Sequence, residues 1–395
     1  MITYFKNCST VEKVMLATVI ALFVPMVPAI LILVAAVLFA IKKGFVQKAY
    51  HNTPYSKFTW IFAVLEIIVT IFYRNLLGLG FTFMILIFFA LSIVFRENMT
   101  EEFFKHMTTL IMILSLVACA IAFVEYLLIL RKFNIDQFMI IIFNTPVNRI
   151  NAVYFNSNYY AMMINFFIGI TVYRILKEIE VHGSAKHIVG MICVIIINMF
   201  ILYLTGCRTA WPALAAGLIV MLFFAGFYKL FAAVIAISGA GAGVLATHPH
   251  LISRFSNIKK YIGVRQNIWR VAIANIKAQP LFGEGPFTYY NVYMKYKNSH
   301  PTQHSHNIFI DPLLCFGVVG LTIIAPYFVS CFGYTCRLFK AKKNNALVGL
   351  IFGLIVMTII HGFLDYTIFF IHTMMLFFII TTSFDMYKED IRKKA

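Results

Sequence analysis

The sequence predicts an all-α polytopic membrane protein of about 11–12 transmembrane helices, with one large extracytoplasmic loop capping a cavity. Three observations predict it. Of the 395 residues, 61% are hydrophobic and 12% charged, where a soluble domain has about 45–50% apolar and about 25% charged residues. The apolar residues come in long unbroken runs, not in the short alternating segments of a membrane β-barrel. The longest connection between the runs is one stretch near 247–305. Residues 1–395 therefore read as a single membrane domain, with 247–305 as an extramembrane loop within it.

Each hydrocarbon crossing needs about 20 mostly apolar residues in a helix. The first run, near 14–41, is too long for a signal-peptide core and is itself a span. It carries Pro25 and Pro28 midway, so it is one kinked helix or a split pair. Runs near 57–73, 76–95, 107–130, 159–176 and 187–205 follow. After a tight turn come 210–226 and 230–246, then the long loop, then 306–333, 346–364 and 367–386.

Basic residues in alternate connections set the orientation. With the C-terminus in the cytoplasm, 18 of the 33 Lys and Arg fall in cytoplasmic segments, among them Lys42, Lys43, Arg96, Lys105, Lys343, Lys388, Lys393 and Lys394. The short outer segments hold 7, including Arg149 and Arg208. Lys6 and Lys13 would also prefer the inside, which favours splitting the first run. The net charge of +18 is spread between apolar spans with no groove-reading motif, so nucleic acid is excluded as a partner. Seven cysteines without CxxC spacing read as membrane-buried apolar residues and not as a disulfide framework or a metal cage.

On that topology the long loop faces outward. Arg254, Lys260, Arg265, Arg270 and Lys277 are interleaved there with Tyr261, Trp269, Tyr289 and Tyr290. Cations with aromatic faces suit a ligand that joins phosphate to sugar rings; they equally suit an interfacial segment at headgroup level. Four further features land on the same side. His300-Pro-Thr-Gln-His304-Ser-His306-Asn307 leads into a span holding Gly317 and Gly320. A neutral imidazole at that mouth could take a proton from a hydroxyl, and the two glycines let a neighbouring helix approach closely. A metal set of His300, His304, His306 and Asp311 has no recognised ligand spacing, so no metal is expected. Gly206-Cys-Arg208-Thr-Ala-Trp211 places an arginine beside lipid, which is costly unless it faces a polar cavity or a phosphate. Asn156-Ser-Asn158 opens the fifth span and is also an ordinary helix cap. His361-Gly-Phe-Leu-Asp365 closes the tenth, where Asp365 could orient a histidine or pair with an arginine. Glu66 and Glu125 are intramembrane carboxylates and functional candidates by position. Ser238-Gly-Ala-Gly-Ala-Gly243 reads as a close-packing helix face.

Together these residues resemble the O-antigen ligase and polysaccharide polymerase (Wzy-type) superfamily of membrane glycosyltransferases over roughly 150–370. His306-Asn307, nine residues and then Gly317-x-x-Gly320 fit the superfamily's histidine-to-GxxG spacing. The Arg208 turn is similar to its small-residue-Arg-Thr-Ala turn, with Cys207 where serine is common. Arg265-Gln-Asn-Ile-Trp269 and Pro280-Leu-Phe-Gly283-Glu-Gly285 resemble its Arg…Trp…Pro-x-x-Gly-x-Gly loop. The resemblance implies an undecaprenyl-pyrophosphate-linked glycan as donor and a sugar hydroxyl as acceptor, in the bacterial cytoplasmic membrane with the active site outside. It gives His306, Arg208 and Arg265 catalytic roles: the arginines on the departing pyrophosphate, His306 on the acceptor hydroxyl. Asn307, Arg270, Asn158, Trp269, Tyr289, His361 and Asp365 would bind substrate, and Gly317, Gly320, Gly283 and Gly285 would shape the site. It implies no metal and no other cofactor. The implied partners are the lipid-linked glycan, its acceptor, the bilayer and other polysaccharide assembly proteins. Surface polysaccharide polymerase is the favoured expectation. A ligase to lipid A core or another final acceptor is the first alternative, and a flippase for the same lipid-linked sugars the second.

Overall fold

The computed structural model describes residues 2–136, 140–141, 148–249 and 258–392. Arg254, Lys393 and Lys394 lie outside them. The described residues are helical with no strand, and the chain is an all-α polytopic membrane protein.

The first apolar run is split. Helices α1 (Ile2–Asn7), α2 (Thr10–Ala21) and α3 (Met26–Lys42) are separate, and the break before Pro25 turns the chain back. Ser9 and Glu12 form a reciprocal capping box at the start of α2, satisfying two donors that a bare helix end leaves open. Helix α4 (Phe45–Asn52) is bent 79° from α3. Then come α5 (Ser56–Phe72), α6 (Leu76–Asn98), α7 (Glu101–Lys132), α8 (Ser157–Glu180), α9 (Ala185–Leu204), α10 (Ala210–Ala225) and α11 (Tyr228–Thr247). The long loop contributes α12 (Ile258–Ala278) and α13 (Thr288–Val292). The chain ends with α14 (Ile310–Ala341), α15 (Asn345–Gly362), α16 (Ile371–Thr381) and α17 (Lys388–Arg392). Among the described residues, seven helices (α6, α7, α8, α9, α11, α14 and α15) are long and apolar enough to cross a membrane. The runs near 57–73 and 210–226 form the shorter α5 and α10, and the last run is α16 between two 3-10 turns.

The core is formed around α8, whose every side from Tyr159 to Ile170 is buried. Helices α10 and α15 meet almost backbone to backbone. A Cβ on Gly353 would stand 2.9 Å from the carbonyl oxygen of Gly217, and one on Gly349 would stand 2.4 Å from that of Met221. Only glycine permits so close an approach, and in lipid it is packing, not water exclusion, that drives it. The contact sets the start of α10 beside the end of α15. In contrast, α11 buries none of its residues, and a Cβ at Gly239, Gly241 or Gly243 would meet nothing within 4 Å. The expected close-packing face on α11 is thus open among the described residues.

Helix α14 breaks at Gly317, where φ is +58° and ψ is −174°. The sequence reading had a neighbouring helix against this glycine, and the structure replaces that helix with a loop. A Cβ on Gly317 would stand 2.3 Å from the carbonyl oxygen of Leu281. Val318 and Val319 donate to the carbonyls of Pro280 and Leu281 at 3.0 and 2.9 Å, and Gly285 donates back to Cys315 at 2.8 Å. Gly283 completes the interlock, its α-carbon lying over the Cys315 carbonyl. The Pro-x-x-Gly-x-Gly segment therefore takes up backbone groups that the broken helix releases. Gly320 does face a helix: a Cβ there would stand 3.0 Å from Glu66 of α5. Asn75 fastens the same loop from the other side, donating to the carbonyls of Glu284 and Pro286 at 3.0 and 2.7 Å.

The connections gather on two opposite faces. One holds 73–75, 148–157, 205–209, the loop with α12 and α13, and 363–370. The other holds the N-terminus, where Tyr4 stacks on His106, and the 342–344 turn, where Lys343 pairs with Asp390 at 2.9 Å. Lys388 pairs there with Glu97, and Arg96 with Asp385.

Candidate active site

The segment from His300 to Asn307 has no regular structure, so side chains and backbone hydrogen bonds must hold it. Asn307 accepts from the N–H groups of Phe309 and Ile310 at 2.9 and 3.0 Å, and so starts α14. Its amide donates to the Phe363 carbonyl at 3.0 Å. Ser305 N–H donates to Asp311 at 2.5 Å, and Ile308 N–H to the Gly362 carbonyl at 2.8 Å. These bonds hold His306 at φ +53°, a conformation that costs a non-glycine residue about 1–2 kcal/mol.

Held so, His306 ends a polar chain. Its Nδ1 lies 2.7 Å from Asp365 Oδ1. The other carboxylate oxygen accepts from the Asn158 amide at 2.5 Å. Asn158 Oδ1 accepts from Arg149 Nη2 at 2.9 Å, and Arg149 Nε donates to the Thr205 carbonyl at 2.6 Å. Asn156 does the capping of α8, accepting from the N–H groups of Asn158 and Tyr159, which leaves the Asn158 side chain for this chain. Burial alone would keep Asp365 protonated, yet the charge and hydrogen bond of His306, with Arg265 and His304 nearby, hold it well below the usual carboxylate range. An ionised Asp365 accepts the Nδ1 proton of His306, which leaves Nε2 as the basic atom. That nitrogen lies 3.0 Å from Thr302 Oγ1.

His304 lies behind this pair. Burial, then the charge of His306, lower it to about 3, so it is neutral. Its Nδ1 accepts the His306 backbone N–H at 3.1 Å, so its proton sits on Nε2, 3.1 Å from the Tyr159 hydroxyl. His304, His306 and Asp365 bring their ligand atoms within 4.8 Å of one another and could hold a metal ion. That group differs from the His300, His304, His306 and Asp311 set considered from the sequence, and each of its members is already in a hydrogen bond.

The cationic side comes from two elements. In the turn between α9 and α10, Cys207 Sγ and Thr209 Oγ1 lie 3.5 and 3.3 Å from His361 Nε2. His361 is fully buried at the end of α15, so it supports this turn from behind instead of facing a ligand. Burial raises the Cys207 thiol, but the His361 imidazole and Arg149 outweigh it and lower its pKa to about 7. Arg208 then projects over the Tyr261 ring of α12 at 5.4 Å. One turn on, Arg265 donates to the Leu364 carbonyl at 2.5 Å. One turn further, Trp269 meets Phe363 edge to face at 6.2 Å. The spacing of four puts Tyr261, Arg265 and Trp269 on one face of α12, turned toward the 361–365 segment. The indole N–H of Trp269 is buried without a hydrogen-bond partner, which leaves about 1–3 kcal/mol of desolvation uncompensated.

The remaining expected site residues lie elsewhere. Arg270 is exposed on another face of α12 and bonds to Asn267 and the Lys297 carbonyl. Tyr289 is fully buried in a small core between the loop and α14, with Ile268, Val271, Ala272 and Leu314, and donates to the His300 carbonyl at 3.1 Å. Asn307 uses both ends of its amide internally, as given above. Arg149 and Thr302 join the site though the sequence reading gave them no role in it, and His304 joins it though it was weighed there only as a metal ligand. An arginine in a short segment predicted to be outer is the one signal that could have marked Arg149.

Residues 192–325 match the family model described as O-Antigen ligase. The chain is thereby recognised as similar to that superfamily, whose members are glycosyltransferases of the ligase and polymerase type. The match runs from α9 into α14 and takes in Arg208, Arg265, His306 and Gly317; Asn158, His361 and Asp365 lie beyond it. No curated protein matches the chain.

Proposed function

With that likeness as premise, we propose that the chain is a membrane glycosyltransferase that moves a glycan from undecaprenyl pyrophosphate to a sugar hydroxyl. The observation that carries this reading is the meeting of two groups of opposite character beside one short segment, 361–365. A histidine oriented by a carboxylate stands on one side of it, and Arg265 and the Arg208 turn on the other. Acyl-free glycosyl transfer needs just these: a base for the incoming hydroxyl, and fixed positive charge where the leaving group develops its own.

His306 Nε2 takes the acceptor proton as the hydroxyl oxygen attacks the anomeric carbon. Asp365 holds the imidazole in the tautomer that leaves Nε2 basic. Arg208 and Arg265 stabilise the pyrophosphate as its bond to the sugar breaks. The partly buried ring of Trp269, beside Phe363, gives a sugar an aromatic face. The site would face away from the cytoplasm, on the side opposite the Lys343 and Lys388 ends, in a bacterial cytoplasmic membrane. Among acceptors, a second lipid-linked repeat is favoured, which makes the chain a surface polysaccharide polymerase.

The test uses protein in nanodiscs with an undecaprenyl-pyrophosphate-linked repeat and EDTA, following chain growth and release of the lipid pyrophosphate. Wild type should extend chains. His306→Ala and Arg208→Ala, correctly folded, should each lose about 100-fold or more. Growth that EDTA abolishes would return the metal to His304, His306 and Asp365. Lipid-linked sugar crossing proteoliposomes without any transfer would replace the enzyme with a transporter.

A further inference from the structure

One hydroxyl already occupies the place that the acceptor must take. Thr302 Oγ1 lies 3.0 Å from His306 Nε2. With His306 Nδ1 on Asp365 at 2.7 Å, the three side chains form a hydroxyl, base and orienting carboxylate in sequence. That is the arrangement by which enzymes activate a side-chain hydroxyl as nucleophile. Thr302 is half-buried, in the stretch of irregular backbone between His300, whose carbonyl Tyr289 holds, and Ser305, which is tied to Asp311. The stretch is thus anchored at both ends with Thr302 aimed at the base.

We propose that Thr302 is an acceptor in cis: the protein glycosylates its own Thr302 Oγ1 from a lipid-pyrophosphate-linked glycan when no sugar hydroxyl displaces it from His306. This rests on the glycosyltransferase reading above. Thr302 Oγ1 forms a bond to the anomeric carbon as the bond from that carbon to the pyrophosphate oxygen breaks. The hydroxyl proton passes to His306 Nε2 and then to solvent, and the lipid pyrophosphate leaves with the bonding electron pair. The products are an O-glycosyl threonine and free lipid pyrophosphate, with no oxidant, reductant or further reactant required.

The experiment incubates the full-length protein in nanodiscs with two donors. One is the lipid-pyrophosphate-linked repeat; the other is the same repeat with its acceptor hydroxyl removed, so that chains cannot grow. Peptide mass spectrometry then reads the segment around Thr302. With the blocked donor, the expected result is one repeat unit added at Thr302 and about one lipid pyrophosphate released per chain. Thr302→Ser should still carry the adduct, and Thr302→Val and His306→Ala should carry none. An unmodified Thr302 peptide, in protein that turns over the unblocked donor, would overturn the inference and leave the glycosyltransferase standing. An adduct that survives in Thr302→Val would overturn it equally. No release from either donor and no adduct would remove both readings at once.

Discussion

Two buried arginine–aspartate systems sit on opposite faces of this protein, and the difference between them is instructive. Toward the Lys343 face, Arg96 pairs directly with Asp385. The guanidinium is enclosed by Tyr327, Tyr334 and Phe384, its carbon 5.8, 5.6 and 5.0 Å from their ring centres. Arg96 is 1% exposed, and its Nη1 lies 3.6 Å from Cys331 Sγ. On the other face Arg149 never touches Asp365; Asn158 stands between them, and the chain continues to His306, whose side chain is 21% exposed. A sealed ion pair holds helices together. An ion pair interrupted by an amide and ended by a half-open imidazole can hold a base at a fixed angle. Burial of charge in a membrane marks both, and only the second has an outlet.

The sharpest way to break that comparison is to remove the charge that orients the base. Asp365→Asn keeps the volume, but its amide can present an N–H to His306 Nδ1 and favour the wrong tautomer. Transfer should fall by about 100- to 10,000-fold with the protein folded, as followed by lipid-pyrophosphate release. The pH dependence has a definite sign. Asp365 is held below the usual carboxylate range, so its contribution to stability is complete above about pH 4 and is lost only as the pH falls through the lowered value. Between about pH 5 and 9, then, no titration of Asp365 should appear in the wild-type stability profile. A stability step in that window, absent in Asp365→Asn, would contradict the ionised carboxylate.

The sealed pair should respond in stability. Arg96→Met leaves Asp385 as a buried unpaired charge, at a cost of about 3–5 kcal/mol. The double variant Arg96→Met with Asp385→Leu should recover most of this, because well-packed apolar residues replace such pairs at little cost. Thermal unfolding in detergent measures both. If the double variant is as stable as wild type yet has lost transfer, the pair has a part in the chemistry and the contrast between the two faces fails.

The two systems also differ in how far the sequence exposes them. Hydropathy is a local property, so the helical runs were legible one by one, and Pro25 marked the split in the first. Motifs that are compact in sequence were legible too: the Arg208 turn, the Arg265 to Trp269 face, and His306 ahead of Gly317. What joins them was not legible. Asn158 and Asp365 are 207 positions apart, and the glycine contact of α10 with α15 that brings the Arg208 turn to His361 carries no motif at all. The GxxG and Pro-x-x-Gly-x-Gly motifs were read as separate features, although their backbones interlock at Gly317. Residue type misled where a side chain serves its neighbours: Asn307 and Tyr289 have the right chemistry for a ligand but spend it inside the fold.

Arg149 offers the finest test, because its effect on the base passes through another residue. Its guanidinium spans two acceptors at once, the Thr205 carbonyl and Asn158 Oδ1. It thereby fixes which end of the Asn158 amide faces Asp365, and ties that amide to the residue three positions before Arg208. A lysine keeps the charge but cannot span both acceptors with the same fixed fork. Arg149→Lys should therefore lower kcat by about tenfold, one hydrogen bond's worth of positioning, with KM nearly unchanged. Asn158→Asp would present a second carboxylate to Asp365 and should lower kcat further, since one of two adjoining carboxylates resists ionisation. A loss confined to KM in Arg149→Lys would mean that the residue holds substrate directly. Unchanged kcat in both variants would mean that His306 and Asp365 keep their geometry unaided, and that the polar chain behind them is, like Arg96 and Asp385, architecture alone.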